Sequence, residues 1–146
     1  MIGCLDTNIV VQALAEGHSF HPILDAWVAG RITWVVPTEV MLEYEEVLTR
    51  LSGPARWRKL ARLMDLVELT GGNLRRVTPS FHFNIITADP DDNIFTDCAV
   101  TAGADFMITE DQHFSVLSGS GYRPQAISPQ EFIKRFVTGA KPEIAP

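Results

Sequence analysis

The chain has little cysteine, no long apolar run and a shortage of positive charge, and each shortage removes a class of protein. Its two cysteines, Cys4 and Cys98, lie inside apolar segments. They are too few for a disulfide framework and too isolated for a cysteine metal cluster, so they read as buried thiols. No stretch approaches the roughly 18 apolar residues that cross a bilayer, so no membrane association is expected. The amino terminus has no basic segment leading into a long apolar one, and a cytoplasmic protein is expected. Lys and Arg number 12 against 18 Asp and Glu, for a formal net charge of -6. A protein that grips nucleic acid through its overall field carries the opposite sign. That exclusion does not reach a site whose acids are neutralised by bound cations. The phosphate-loop signature ending in Gly-Lys-Ser/Thr is also missing, and Gly119-Ser120-Gly121 alone does not replace it.

What is present is a single-domain composition with 46% hydrophobic and 21% charged residues over 146 positions. One domain is expected over residues 1–138, with a frayed tail over 139–146. The first apolar run, Ile2-Gly3-Cys4-Leu5, stops on Asp6 and passes into a helical pattern from Thr7. A short helix is expected around Ile23 to Val28 after a connector at residues 18–22, and a strand over Thr33–Val36. The next helix is expected to be capped by Thr38, with Val40, Met41, Tyr44, Val47, Leu48 and Leu51 on one face. At about 100° per residue, Glu43 and Glu45 fall on the two edges of that face, and the wheel does not choose between them. A further helix carries Trp57, Leu60, Ala61, Met64 and Val67 as its buried stripe. Its first half holds the one dense basic segment, Arg56, Arg58, Lys59 and Arg62. That segment reads either as a solvated face covering apolar surface or as a contact for nucleic acid or an acidic partner.

Leu74 to Val77 is read as a short strand and residues 79–88 as a loop. Asp89-Pro90-Asp91-Asp92 is a helix start, with Asp89 at the cap and Pro90 in the first turn. The strand Asp105 to Thr109 ends, like the first, in acid, at Glu110-Asp111. A last short strand is expected near Ala126-Ile127, followed by a helix capped by Ser128. Alternation of strands and helices points to a mostly parallel sheet covered on both faces.

Each acid has a plain structural explanation: Asp6 and Asp89 as caps, Asp111 as a turn residue, Glu43 as a solvated glutamate. Together they are harder to dismiss, because Asp6 and Asp111 close two strands at the same edge of a parallel sheet and Asp92 lies in the first turn of a helix starting there. Gathered carboxylates repel one another unless protons or cations neutralise them. A hard divalent ion suits an all-oxygen site, and paired ions of this kind assist attack of water on phosphodiesters.

Leu5-Asp6-Thr7-Asn8, Met41-Leu42-Glu43-Tyr44, Asp89-Pro90-Asp91-Asp92-Asn93 with Ala99, and Gly103-Ala104-Asp105 with Ile108-Thr109-Glu110-Asp111 together resemble the PIN-domain ribonucleases. Within them the chain is most similar to the bacterial branch of VapC-like toxins from toxin–antitoxin systems. The resemblance runs from Met1 to about Phe136. It implies a three-layer α/β/α sandwich and an endoribonuclease that uses Mg²⁺ or Mn²⁺. It implies Asp6, Glu43, Asp92 and Asp111 as metal-binding and catalytic acids, favouring Glu43 over Glu45. Asn8, Asn93 and Thr109 are implied as polar support, with Asp97 a further member of the set. Its implied partners are RNA, a cognate antitoxin that sends a basic side chain into the acidic pocket, and a second copy in a homodimer. The sequence departs from that branch at Glu110, where a small residue is common, and at His113, where an acid is common.

Two other readings remain open at this stage: a non-catalytic PIN-like domain that binds RNA or protein, and a PIN nuclease with a housekeeping role in RNA processing. An aspartyl-phosphate phosphohydrolase would want a second acid at Asn8, two residues after Asp6. A phospho-accepting signalling domain would want a late lysine, and none lies between Lys59 and Lys134. His18 and His21, three apart with no further ligand beside them, give zinc little support.

Overall fold

A computed structural model describes residues 1–87 and 89–138. The frayed tail expected over 139–146 lies outside them. Five strands form one sheet: β1 (Ile2–Leu5), β2 (Thr33–Pro37), β3 (Leu74–Val77), β4 (Phe106–Ile108) and β5 (Gln125–Ile127). Their order is β3-β2-β1-β4-β5, and every neighbouring pair is parallel, so the mixed sheet that "mostly parallel" allowed is not needed. Parallel neighbours require crossovers, and the helices supply them. They are α1 (Thr7–Ala13), α2 (His21–Val28), α3 (Met41–Ser52), α4 (Pro54–Thr70), α5 (Asn93–Thr101) and α6 (Pro129–Phe132), the last continuing as a wider turn over Ile133–Thr138. The result is a three-layer α/β/α sandwich. Among the described residues no helix is long and apolar enough to cross a membrane.

The central strands are apolar along their length because helices cover both faces: Cys4, Leu5, Trp34, Val35, Val36, Met107 and Ile108 are all buried. One covering is aromatic. Trp34 of β2 meets Trp27 of α2 edge-on at 5.0 Å between ring centroids, and Tyr44 of α3 lies beyond at 6.3 Å. The expected elements are found, with local differences. α2 begins at His21, two residues before the expected apolar stretch, because Pro22 fits a first turn that needs no N–H. Thr38 is not a helix cap. It opens a 3₁₀ turn over Thr38–Val40, and its hydroxyl oxygen accepts a bond from Thr78 at 3.1 Å. Leu51, placed on the apolar face of α3, is 62% exposed, since it lies in the last turn beyond the sheet's cover.

Asn73, at the turn before β3, is buried. Its amide donates to the carbonyls of Trp27 and Ile32 at 2.6 and 2.9 Å. Its own carbonyl accepts from the Trp34 amide and the Trp27 indole. One side chain and one carbonyl thereby tie α2 to the start of β2.

Candidate active site

The strand order reverses at β1. The chain moves outward through β2 and β3 and then returns past β1 to β4. In open α/β sheets, the crevice beyond the carboxyl ends of the strands at such a reversal is where ligands bind. Here it lies between β1 and β4. Leu5 pairs with Ile108, and the ladder extends by one bond, from the Asp6 amide to the Ile108 carbonyl at 3.1 Å. Asp6 and Thr109 therefore leave the sheet side by side.

Thr109 joins the two acids that follow these strands. Its hydroxyl donates to Asp6 Oδ2 at 2.9 Å and accepts the backbone N–H of Asp111 at 2.9 Å. Asp6 stands at the N-cap position of α1 yet makes no side-chain cap bond, so capping does not account for it. Asp111 caps the 3₁₀ helix over Gln112–Leu117, accepting the His113 N–H at 2.9 Å. That turn carries the His113 ring back over the acids, with Nδ1 3.3 Å from Asp92 Oδ2 and 3.5 Å from Asp111 Oδ1. Asp89 caps the short 3₁₀ turn Pro90–Asp92 through the Asp91 amide, as its sequence position suggested.

The electrostatics link the acids. Burial pushes the Asp6 carboxyl above its ordinary value, the Thr109 bond opposes this, and the charges of Asp92 and Asp111 add to the rise. Glu43 is raised by burial and then by Asp6. Asp92 is raised by burial, against the His113 hydrogen bond, and further by Asp111 and Asp89. Asp6 thus lies within Coulombic reach of Glu43, Asp92 and Asp111, and Asp92 of Asp111. Among the described residues, the ion pairs made by Lys and Arg go to Glu16, Asp65, Glu68 and Asp105 instead.

A family model for the PIN domain matches residues 3–113. The chain belongs to the PIN domain family. PIN domains are in general nucleases, and the match spans Asp6, Glu43, Asp92 and Asp111. Comparisons with the curated proteins and with the solved structures found no match.

The donor set of this PIN domain suits a divalent cation. Among the described residues these carboxylates have no lysine or arginine partner, His113 being the basic group beside Asp92 and Asp111, and the buried Thr7 hydroxyl at the start of α1 lies beside Glu43 and favours its charged form. Carboxylates gathered beside a buried hydroxyl, with histidine as their one basic neighbour among the described residues, are a donor set that an ion or its water would satisfy. Asp89, Asp92 and His113 also offer three ligand atoms lying within 4.8 Å of one another. Their imidazole shifts preference from Mg²⁺ toward transition metals.

The remaining predicted residues fall in several places. Glu45 faces a surface groove with Leu42, Glu46, Thr49 and Arg50, away from Asp6. Asn8 is exposed on α1. Asn93 and Asp97, one helical turn apart, both face the loop over residues 78–87. Asn93 Oδ1 accepts the Ile86 N–H at 2.9 Å and its amide donates to the Ile86 carbonyl at 2.7 Å. Asp97, 3% exposed, accepts the Phe83 N–H at 3.0 Å and lies 3.1 Å from His82 Nδ1. The structure therefore employs Asn93 and Asp97 as loop anchors. Arg56 and Lys59 line a groove with Leu14, Ala15 and Glu16, at the end of α1 remote from Asp6. The sequence reads His113 as a surface histidine near a turn in preference to a general acid, and does not single out Thr7. The signal for His113 was its position two residues after a capping aspartate, where the turn folds residue i+2 back toward the carboxylate.

Proposed function

We propose that this PIN domain is a metal-dependent endoribonuclease of the VapC-like branch, the toxin of a toxin–antitoxin pair acting in the cytoplasm. Asp6, Glu43, Asp92 and Asp111 hold Mg²⁺ or Mn²⁺. The observation that carries the reading is the gathering of Asp6, Asp92 and Asp111 around Thr109 and His113 at the sheet's reversal point, with Glu43 near Asp6 and no lysine or arginine partner among the described residues. When bound, the cation supplies the charge and Lewis acidity that let water attack an RNA phosphodiester in line. The chain's own groups set the geometry: Thr109 orients Asp6, and His113 spaces Asp92 from Asp111. Asn8, exposed on the first turn of α1, is placed to orient a water or an RNA oxygen. The cognate antitoxin silences the site by presenting a basic side chain to the acids, and the protein works as a homodimer. The segment Arg56 to Arg62 contacts RNA or that partner.

The decisive experiment is cleavage of a mixed RNA substrate by purified protein with Mg²⁺, Mn²⁺ or EDTA, beside Asp6→Asn and Asp92→Asn. Cutting that requires metal and is lost in both variants is expected. A folded protein that binds Mn²⁺ and cuts no RNA would reject the nuclease in favour of a binding role. For the toxin role, induced expression should arrest bacterial growth and Asp6→Asn should not. Light scattering reports the dimer.

A further inference from the structure

Next to the acids, the loop over residues 78–87 closes a cavity of about 440 Å³ against the start of α3 and the first turns of α5. This lies within the usual range of small-ligand pockets, about 300–1,000 Å³. Glu43 lines it, so the cavity opens directly beside the predicted metal site. Val40, Pro79 and Ile94 give it apolar wall, and Glu39, Asn84 and Asp91 give it polar atoms. Among the described residues no lysine or arginine lines it, and His82 does. The Asp97 carboxylate at its side is already engaged by Phe83 and His82, whereas Glu39 and Asp91 are exposed and have no ion pair among the described residues. The loop is held before any ligand arrives. Asp97 fixes Phe83, Asn93 fixes both backbone groups of Ile86, and Asn84 between them is locked at φ 50°, a left-handed conformation.

We propose that this cavity receives a nucleobase next to the scissile phosphate and favours bases with an exocyclic amino group over uracil. The inference rests on the nuclease reading above and adds the choice of base. A phosphate is rejected here, since four carboxylates line the space, Glu39, Glu43, Asp91 and Asp97, while among the described residues no lysine or arginine does and the one histidine, His82, is engaged by Asp97. A ring with flat apolar faces and N–H donors at its edge is matched by the walls and by acceptor-only carboxylates. Adenine, cytosine and guanine present amino donors, and carboxylates accept from such groups. Uracil offers a single N3–H flanked by two carbonyl oxygens, so it can pair with one acid at most while turning oxygens toward the others, the kind of mismatch a polar site rejects most strongly.

The test has two arms, both on the full chain. In the first, random-sequence RNA is cut by the wild type with Mn²⁺ and the new ends are mapped. Uracil should be depleted about tenfold at one position flanking the cut, and the combined Glu39→Gln and Asp91→Asn variant should lose that bias. In the second, Asp6→Asn with Mn²⁺ is titrated with labelled oligo(A), oligo(C) and oligo(U). Oligo(U) should bind about tenfold more weakly, and the gap should close when Glu39→Gln and Asp91→Asn are added. Thermal melts establish that each variant is folded. Cutting with no base bias, or with a bias that survives the double substitution, overturns the pocket while the nuclease stands. Absence of cutting rejects the nuclease instead, and the binding arm then decides the pocket: equal affinity for the three oligomers, or no binding, defeats it.

Discussion

A single hydroxyl, that of Thr109, connects the acids of two strands. Thr109→Val keeps the shape and the β-branched preference for a strand end, yet it releases Asp6 Oδ2 and leaves the Asp111 amide unpaired. Support groups of this kind are worth about 10- to 100-fold in metal affinity or activity, so Mn²⁺ titration of the variant should show a loss in that range with the fold retained. A second expectation follows from charge. Asp6, Glu43 and Asp92 have folded-state values raised above their unfolded ones. Such groups favour the fold fully below the ordinary carboxylate value, and that contribution disappears as pH rises through the raised values. In EDTA at neutral pH, Asp6→Asn should therefore melt higher than the wild type, and the advantage should vanish in acid. Position at a strand end made Asp6 and Asp111 visible in the sequence. The contact of His113 with Asp92 was not, because it depends on a turn set by the Asp111 cap and on two segments that meet only in three dimensions.

Among the elements, the junction between α4 and β3 and the anchored loop carry the most testable contacts. Asn73→Ala removes both side-chain donors; the Trp27 carbonyl keeps the Gly30 N–H, but the Ile32 carbonyl loses its amide partner, and an unsatisfied buried group costs about 1–3 kcal/mol. Urea unfolding should register a loss of at least that size. Gly71 is needed for space: a Cβ there would lie 2.5 Å from Asn73 Oδ1, so Gly71→Ala should displace the same amide and destabilise through the same bonds. Nothing in the Thr70-Gly71-Gly72-Asn73 string, which has the composition of a turn, announces that its asparagine is buried. Asn93 and Asp97 teach the same lesson on α5. Their shared face was legible from helical spacing, but what that face meets was not, because the loop over residues 78–87 has no periodicity to place it. Asp97→Ala should free the Phe83 amide, which hydrogen exchange would detect as lost protection confined to that loop.

Over the whole molecule, Asp105 works in the opposite sense to the acids of the site. It accepts the Ile2 N–H at 2.9 Å and the Arg123 guanidinium at 2.7 Å, holding together the beginnings of β1 and β4 and the approach to β5. The Ile2 N–H first, then Arg123, keep its carboxyl below the ordinary value. A depressed carboxyl stabilises the fold above the unfolded value and ceases to do so as pH falls through the folded one. Asp105→Asn should accordingly flatten the acid limb of a stability–pH curve while leaving the Mn²⁺-dependent rise in melting temperature intact. The strand–helix alternation that predicted the sandwich is a property of the chain as a whole, which is why the architecture was readable when individual side-chain partners were not.

The bond from Thr109 to Asp6 joins residues 103 apart in the chain, and β1 cannot complete its second edge until β4 has been made. During synthesis, which runs at about 5–20 residues per second from the amino terminus, β1, β2 and β3 can associate long before their fourth neighbour leaves the ribosome. Any activity that depends on these acids is thus withheld from the growing polypeptide, and a ribosome stalled before β4 would carry an inert fragment. The order of strands acts as a timer on the assembly of the site.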